Sequence, residues 1–283
     1  MHAPPAMKTA PSRLLPGLVL AGIAFRAAFF LFALDRLPVS SDEAWPGLMA
    51  RHVLRGEFPV FYWGQNYMGA QECYLEALLF AVLGATPLAL RLLPLAVSLL
   101  FLWVSYRLAV RLYGRAAGLW TLAVLAVPVP YLAMCGAMIP PPNYLAIAAL
   151  GSLALLLTHR LAFEAPPPRA AAWLFPVLGA VLGFAFWLHL LIASYLAVCV
   201  LFLWLRDKWL PLRPRFWGGV LAFFLAGLPF WWFNLAHDFA TFRDVGRQVT
   251  LAQTGALLAV AFRYTLPFMA GLRVMFYGDS RFT

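Results

Sequence analysis

Long apolar runs separated by arginines constrain this chain more than any other feature in it. Residues 14–34, 88–111, 116–135, 144–158, 170–188, 190–205 and 216–233 are each dominated by Leu, Ala, Val, Phe and Trp. A helix needs about 20 mainly apolar residues to cross a bilayer, and most of these runs reach or approach that length. A further run, 251–276, is interrupted by Arg263 and Arg273. The chain is 64% hydrophobic and 11% charged. Soluble domains are about 45–50% apolar and about 25% charged, so a water-soluble core would leave too much apolar surface uncovered. The expected fold is an all-α, polytopic membrane helical bundle of seven to eight spans. Residues 1–283 are read as a single membrane domain with no internal repeat. The first run is too long for a signal peptide and lacks a small-residue cleavage site, so it is expected to stay as an anchor.

The net charge of +10 does not indicate nucleic-acid binding. Nucleic-acid proteins gather Lys and Arg on one soluble face, whereas here they sit at the ends of apolar runs. Cytoplasmic loops of membrane proteins carry excess Lys and Arg. With the N-terminus in the cytoplasm, the cytoplasmic loops collect eleven basic residues, Lys8 and Arg13 among them, against the two acids Glu164 and Asp207. The loop after the first span, about residues 35–87, then faces outward. It holds Asp35, Asp42, Glu43, Glu57, Glu72 and Glu76, six of the eleven acidic residues. This alternation requires the 13-residue apolar stretch 72–84 to lie at the membrane surface rather than cross it. Cys73, Cys135 and Cys199 have no metal-ligand spacing and read as small apolar residues.

A polar loop of this length is more often functional than structural. Two starts for a helix compete within it. Ser40 with Glu43 three residues on fits a capping box; alternatively Pro46 is the first helical residue. Either helix runs to Gly56 and is amphipathic, with Arg51 placed to meet lipid phosphates. Asp42 and Glu43 fit ordinary helix-dipole chemistry, or else a base or metal-binding carboxylate beside the membrane. The following stretch, Tyr62-Trp63-Gly64-Gln65-Asn66-Tyr67-Met68-Gly69, carries aromatics suited to the interfacial belt or to stacking on sugar rings. Arg26, within the first span, is costly there unless paired or hydrated, so it is expected to face the bundle interior.

The ordered run Ser41-Asp42-Glu43-Ala44, Gly56, Gly69 to Leu75, Phe80-Ala81-Val82-Leu83-Gly84 and Leu90-Arg91-Leu92-Leu93-Pro94 resembles the C-type (GT-C) membrane glycosyltransferases. These include the dolichyl- and polyprenyl-phosphate-sugar mannosyltransferase-like enzymes. The likeness is strongest to uncharacterised bacterial members, through 47–52 and 61–69, and extends more weakly to 186–189 and 229–234. It implies a transferase of the bacterial cytoplasmic (inner) membrane with an extracytoplasmic active site. The donor is a polyprenyl-phosphate-linked sugar and the acceptor belongs to the cell envelope. Asp42 is the implied catalytic carboxylate, with Glu43 beside it. Arg91 matches the family's arginine and is the implied donor-phosphate contact, although it also reads as an interfacial snorkelling residue. Arg51, Gln65, Asn66, Tyr67 and His189 are further candidate substrate contacts by their place at the outer face.

The leaving phosphate would be met by arginine, or by a divalent metal ion held by Asp42 and Glu72. Many relatives have a second acid after the third span, where this chain reads Met138-Ile139-Pro140-Pro141-Pro142-Asn143. Relatives are also longer, so the C-terminal part of the family architecture is expected to be absent. The rival classes are a lipid-linked sugar transporter or flippase and a truncated, non-catalytic membrane scaffold.

Overall fold

The computed structural model describes residues 14–127, 143–164, 166–246, 255 and 258–269. The N-terminal lead with Lys8 and Arg13, the stretch 138–142 and half of the expected eighth run lie outside the described residues, as does Cys135. The protein is mostly helical. Its elements are α1 (Leu14–Arg36), α2 (Ser41–Val53), β1 (Phe61–Tyr62), β2 (Gln65–Gly69), α3 (Gln71–Leu83), α4 (Pro87–Tyr113) and α5 (Arg115–Ala126). There follow α6 (Tyr144–Phe163), α7 (Pro168–Leu188), α8 (Ile192–Arg206), α9 (Pro214–Ala226), α10 (Leu228–Ala236) and α11 (Ala240–Gly246).

Among the described residues four helices, α1, α4, α6 and α7, are long and apolar enough to cross a membrane. A fifth span results if α9 and α10, bent by 65° at Gly227, count as one. The expected sixth run forms α8 but is only 15 residues long, and the described part of the third, α5, has 12. The expected seventh span is not a straight helix. Gly227 and Pro229 sit where it breaks, and Pro lacks the N–H that would continue the backbone ladder.

The bundle is assembled in neighbouring pairs. Helix α4 packs along α5 and α6, α1 rests on α5 and α4, and α6 packs on α7 and α8. A single residue, Gly114 at φ 88°, reverses the chain between α4 and α5. The tightest pair is α7 with α9. A Cβ on Gly179 would overlap the Gly219 carbonyl, and one on Gly183 the Phe223 carbonyl. Lipid tails are as apolar as leucine, so membrane helices associate through close packing, and small residues spaced by four permit it. The glycines of 179–183 make such a seam.

One end of the bundle carries a layer made of α2, β1, β2 and α3. Helix α3 is 13 residues long and is not among the candidate spans. Helix α2 starts by the capping box: Glu43 N–H donates to Ser40 Oγ at 3.2 Å and Ser40 N–H to Glu43 Oε2 at 2.9 Å. Pro46 therefore lies inside the helix rather than at its start. The helix ends at Val53, and the turn that follows closes on Gly56 at φ 91°.

The layer is not all-α. Residues 61–69 form an antiparallel two-stranded hairpin pairing Tyr62 with Gln65. Its turn, Trp63-Gly64, uses Gly64 at φ 73°, a backbone conformation that side chains other than glycine's disfavour. The hairpin is pinned to the bundle. Phe61 meets the rings of Phe230 and Phe233 at 5.9 and 4.8 Å. Trp187 Nε1 donates to the Val60 carbonyl at 2.9 Å, and Met68 bridges to His189.

Candidate active site at the loop end

Capping chemistry sets the positions of the acidic pair. As the third helical residue, Glu43 turns back to its cap and is buried. Asp42, one residue earlier, points elsewhere and is exposed. The two carboxylates thus have separate environments despite being adjacent.

Glu43 meets Arg91 of α4, which is only 2% exposed. Arg91 Nε donates to Glu43 Oε1 at 2.6 Å and Nη2 to Oε2 at 3.2 Å. The remaining donors reach the carbonyls of Ala33, Leu37 (3.2 Å) and Pro38 (3.3 Å), where α1 ends. The guanidinium therefore ties α1, α2 and α4 together, and its hydrogen bonds run to the protein itself. Charged side chains that cap helix C-termini satisfy carbonyls lacking a partner in the helix. Arg26 repeats the device deeper in α1. Its Nε donates to Ser98 Oγ at 2.6 Å, and its terminal nitrogens donate to the Gly22, Ala126 and Leu125 carbonyls at 3.0–3.2 Å. It faces the interior as expected, with carbonyls and a hydroxyl rather than a carboxylate around it.

Asp42 lines a cavity of about 210 Å³ together with Trp45, Tyr62 and Gln65. Tyr67, Met68 and Tyr144 complete the wall. Asp42 makes no ion pair or hydrogen bond among the described residues, so its carboxylate is available to a ligand. Drug-sized ligands occupy pockets of about 300–1,000 Å³; this space is on the scale of a single sugar ring.

A hydrogen-bonded network backs the cavity. Tyr62 Oη donates to Glu72 Oε2 at 3.1 Å, and the Asn143 backbone N–H donates to the same oxygen at 3.2 Å. Asn143 Nδ2 bonds the Gly69 and Leu188 carbonyls at 2.9 and 3.1 Å, while its Oδ1 accepts from Gln71 Nε2. Asn143 has φ 66°, a left-handed conformation that Asn tolerates better than most residues. The network joins the starts of α3 and α6 to the end of α7. Burial pushes the Glu72 carboxyl up, while the hydrogen bonds from Tyr62 and Asn143 oppose the rise. Burial, with nearby carboxylates, also holds the Tyr62 hydroxyl well above its ordinary range.

Behind Glu72 lies a second space of about 180 Å³ with almost wholly apolar walls from α4, α6 and α7, including Leu93, Val97, Leu150 and Phe184. A polar cavity and an apolar groove therefore meet across the Tyr62–Glu72 hydrogen bond.

His189 is buried against the rings of Tyr67 and Tyr144 at 5.6 and 5.2 Å. Its Nδ1 accepts the Leu191 N–H at 3.0 Å, so the ring proton belongs on Nε2, which has no partner among the described residues. Burial lowers its pKa.

The structure brings Asp42, Gln65 and Tyr67 to one cavity and sets His189 against its wall. Glu43 and Arg91 lie in the ion pair beside it. Arg51 is exposed on α2. The Asn66 carbonyl accepts from Thr241 Oγ1, which places that residue on the α11 side. Tyr144, Asn143 and Glu76 were not singled out from the sequence. The three prolines before Asn143 mark a turn there, but nothing local says that its amide reaches Gly69, 74 positions away.

Glu76 is 2% exposed, and its Oε2 has no partner among the described residues. Among the described residues no three His, Cys, Asp or Glu side chains are grouped to hold a metal ion. Of the expected pair, Asp42 lines the cavity and Glu72 is engaged by Tyr62 and Asn143. No protein-family model, no curated protein and no solved structure matches this chain.

Proposed function

We propose that this chain is an inverting C-type membrane glycosyltransferase. It would move a sugar from a polyprenyl-phosphate carrier to an extracytoplasmic acceptor of the cell envelope. In this reading the protein is multi-pass in the bacterial cytoplasmic membrane with seven or eight spans. Its N-terminus is cytoplasmic and its loop end extracytoplasmic.

One observation carries the proposal. An unpaired carboxylate, Asp42, lines a sugar-sized polar cavity, and an apolar groove suited to a prenyl chain begins on the other side of Tyr62 and Glu72. The rings of Tyr67 and Tyr144 offer stacking faces for the sugar. Asp42 takes the proton of the acceptor hydroxyl as general base. The acceptor oxygen then forms its bond to the anomeric carbon from the face opposite the phosphate. The carbon–oxygen bond to the carrier breaks, and the lipid phosphate departs with the electron pair. Phosphate leaves without a proton, so a single carboxylate suffices. General-base assistance is worth about 10²–10⁴-fold.

The flippase alternative finds one point of support in the broken α9–α10 pair, since transporters build sites at discontinuous helices. Here the break runs through Phe223 to Trp231 with no charged side chain, whereas the Asp42 cavity carries a carboxylate free to act as a base.

The test uses membrane vesicles containing the protein and radiolabelled polyprenyl-phosphate sugars. Wild type should consume a donor, and Asp42→Asn should lose about 10²–10⁴-fold of that rate. Full activity in folded Asp42→Asn would remove the carboxylate from the mechanism. Failure of folded wild type to consume any donor would favour the scaffold reading.

A further inference from the structure

A second polar cavity lies at the opposite end of the bundle. It measures about 370 Å³ and is lined by the ends of α6, α7, α8 and α9, with Arg206, Arg213 and Arg215 among its walls. Helix α6 runs from Tyr144 at the Asp42 cavity to Leu161 at this one. At 1.5 Å per residue the two are separated by about 25 Å, close to the thickness of a bilayer's hydrocarbon core.

The charge in this cavity is not balanced internally. Asp207, its acid, has both oxygens engaged: Arg213 Nε binds Oδ2 at 2.7 Å and the Trp209 N–H binds Oδ1 at 3.1 Å. Arg206 and Arg215 have no carboxylate partner among the described residues, and Arg215 Nε is buried without any hydrogen-bond partner there. The guanidinium of Arg215 lies 5.6 Å from the Phe175 ring. Phe175 and Leu203 wall this cavity and also an apolar groove of about 200 Å³ between α7, α8 and α9. A cationic pocket and an apolar groove thus lie side by side, with Phe175 and Leu203 on the wall of both. Trp173, Trp209 and Trp217 are exposed around the same end, and tryptophans concentrate at the headgroup level of membranes.

We propose that this end is a binding site for an anionic phospholipid, its phosphate held by Arg206 and Arg215 and one acyl chain laid in the α7–α8–α9 groove. A free phosphate shares the headgroup chemistry but has no use for the groove, so the groove selects the lipid. The site does not depend on the activity proposed for the other end.

The test titrates the full chain, stripped of lipid in a neutral detergent, and counts bound lipid by native mass spectrometry. The probes are phosphatidylglycerol, phosphatidylcholine with the same chains, glycerophosphoglycerol without chains, and inorganic phosphate. Phosphatidylglycerol should bind, and the two chainless anions should not compete with it. Arg206→Gln should weaken phosphatidylglycerol about fivefold, and Arg206→Gln with Arg215→Gln about 25-fold, the worth of roughly one surface charge contact each. Phosphatidylcholine binding should be unchanged in both. Arg206 is exposed, so the single variant carries the test if the double variant fails to fold. Val200→Trp, which fills the groove without touching a charge, should also displace the lipid. Equal binding of the two lipids to wild type would overturn the proposal. Undiminished phosphatidylglycerol binding in folded Arg206→Gln would do the same, as would competition by glycerophosphoglycerol or phosphate.

Discussion

Replacing Arg91 by methionine separates a structural role from a substrate-binding one. Methionine keeps most of the buried volume and removes the charge. The Glu43 carboxylate then loses contacts at 2.6 and 3.2 Å and keeps only the Ser40 N–H. Stripping one partner from a buried ion pair costs about 3–5 kcal/mol. The Leu37 and Pro38 carbonyls also lose their donors, at about 1 kcal/mol each or less where water reaches them. Arg91→Met should therefore sit at the upper end of the about 3–5 kcal/mol range. Adding Glu43→Gln removes the stranded charge, and its amide can still accept from Ser40. The double variant should recover about 2 kcal/mol or more relative to Arg91→Met alone, a coupling expected of groups in direct contact. The assay is equilibrium unfolding in mixed micelles on addition of dodecyl sulfate, followed by tryptophan fluorescence. A loss below about 1 kcal/mol in Arg91→Met, accompanied by loss of donor binding, would refute this reasoning and assign Arg91 to the substrate.

Two further outcomes follow from burial and packing. Burial, reinforced by the Glu72 and Glu43 carboxylates, pushes the Glu76 carboxyl up to about 9. The folded protein then keeps a proton that the unfolded chain releases, so stability falls as pH rises between about 4.5 and about 9, by at most about 1.4 kcal/mol per unit. Glu76→Gln should be more stable than wild type at neutral pH and should flatten the fall measured between about pH 5 and about pH 8. Gly183→Val should cost about 3 kcal/mol or more in the same unfolding assay, because its Cβ meets the Phe223 carbonyl. Gly17→Ala, with nothing within 4 Å of the added carbon, is the control and should cost nothing.

Periodicity and composition made the apolar helices legible, since a run of leucine and alanine long enough to cross a bilayer has few other uses. The start of α2 was legible too, because a capping box is a local device written in Ser40 and Glu43. The hairpin at 61–69 was not, even though Trp63-Gly64 is turn chemistry. A two-residue strand has too little alternation to register, and it is held by Phe230, Phe233 and Trp187 from distant helices. The break between α9 and α10 was missed because hydropathy is blind to direction: Leu, Phe and Trp continue through Gly227 without a change in polarity. Asp42 was singled out through the resemblance, since its place in the loop fits ordinary helix-dipole chemistry equally well. The separation of its role from that of Glu43 depends on Arg91, 48 positions away, and a local reading has no access to that distance.

The clamp made by Arg91 also sets the depth of Asp42. One side chain on α4 holds the last turn of α1 and the first turn of α2, and Asp42 belongs to that turn. When a thinner or thicker bilayer tilts α4, the carboxylate is carried along as part of the same rigid corner. The distance from Asp42 to the apolar groove is therefore referenced to the protein rather than to the lipid. A chain with this corner presents the same geometry to a ligand wherever the membrane surface happens to lie.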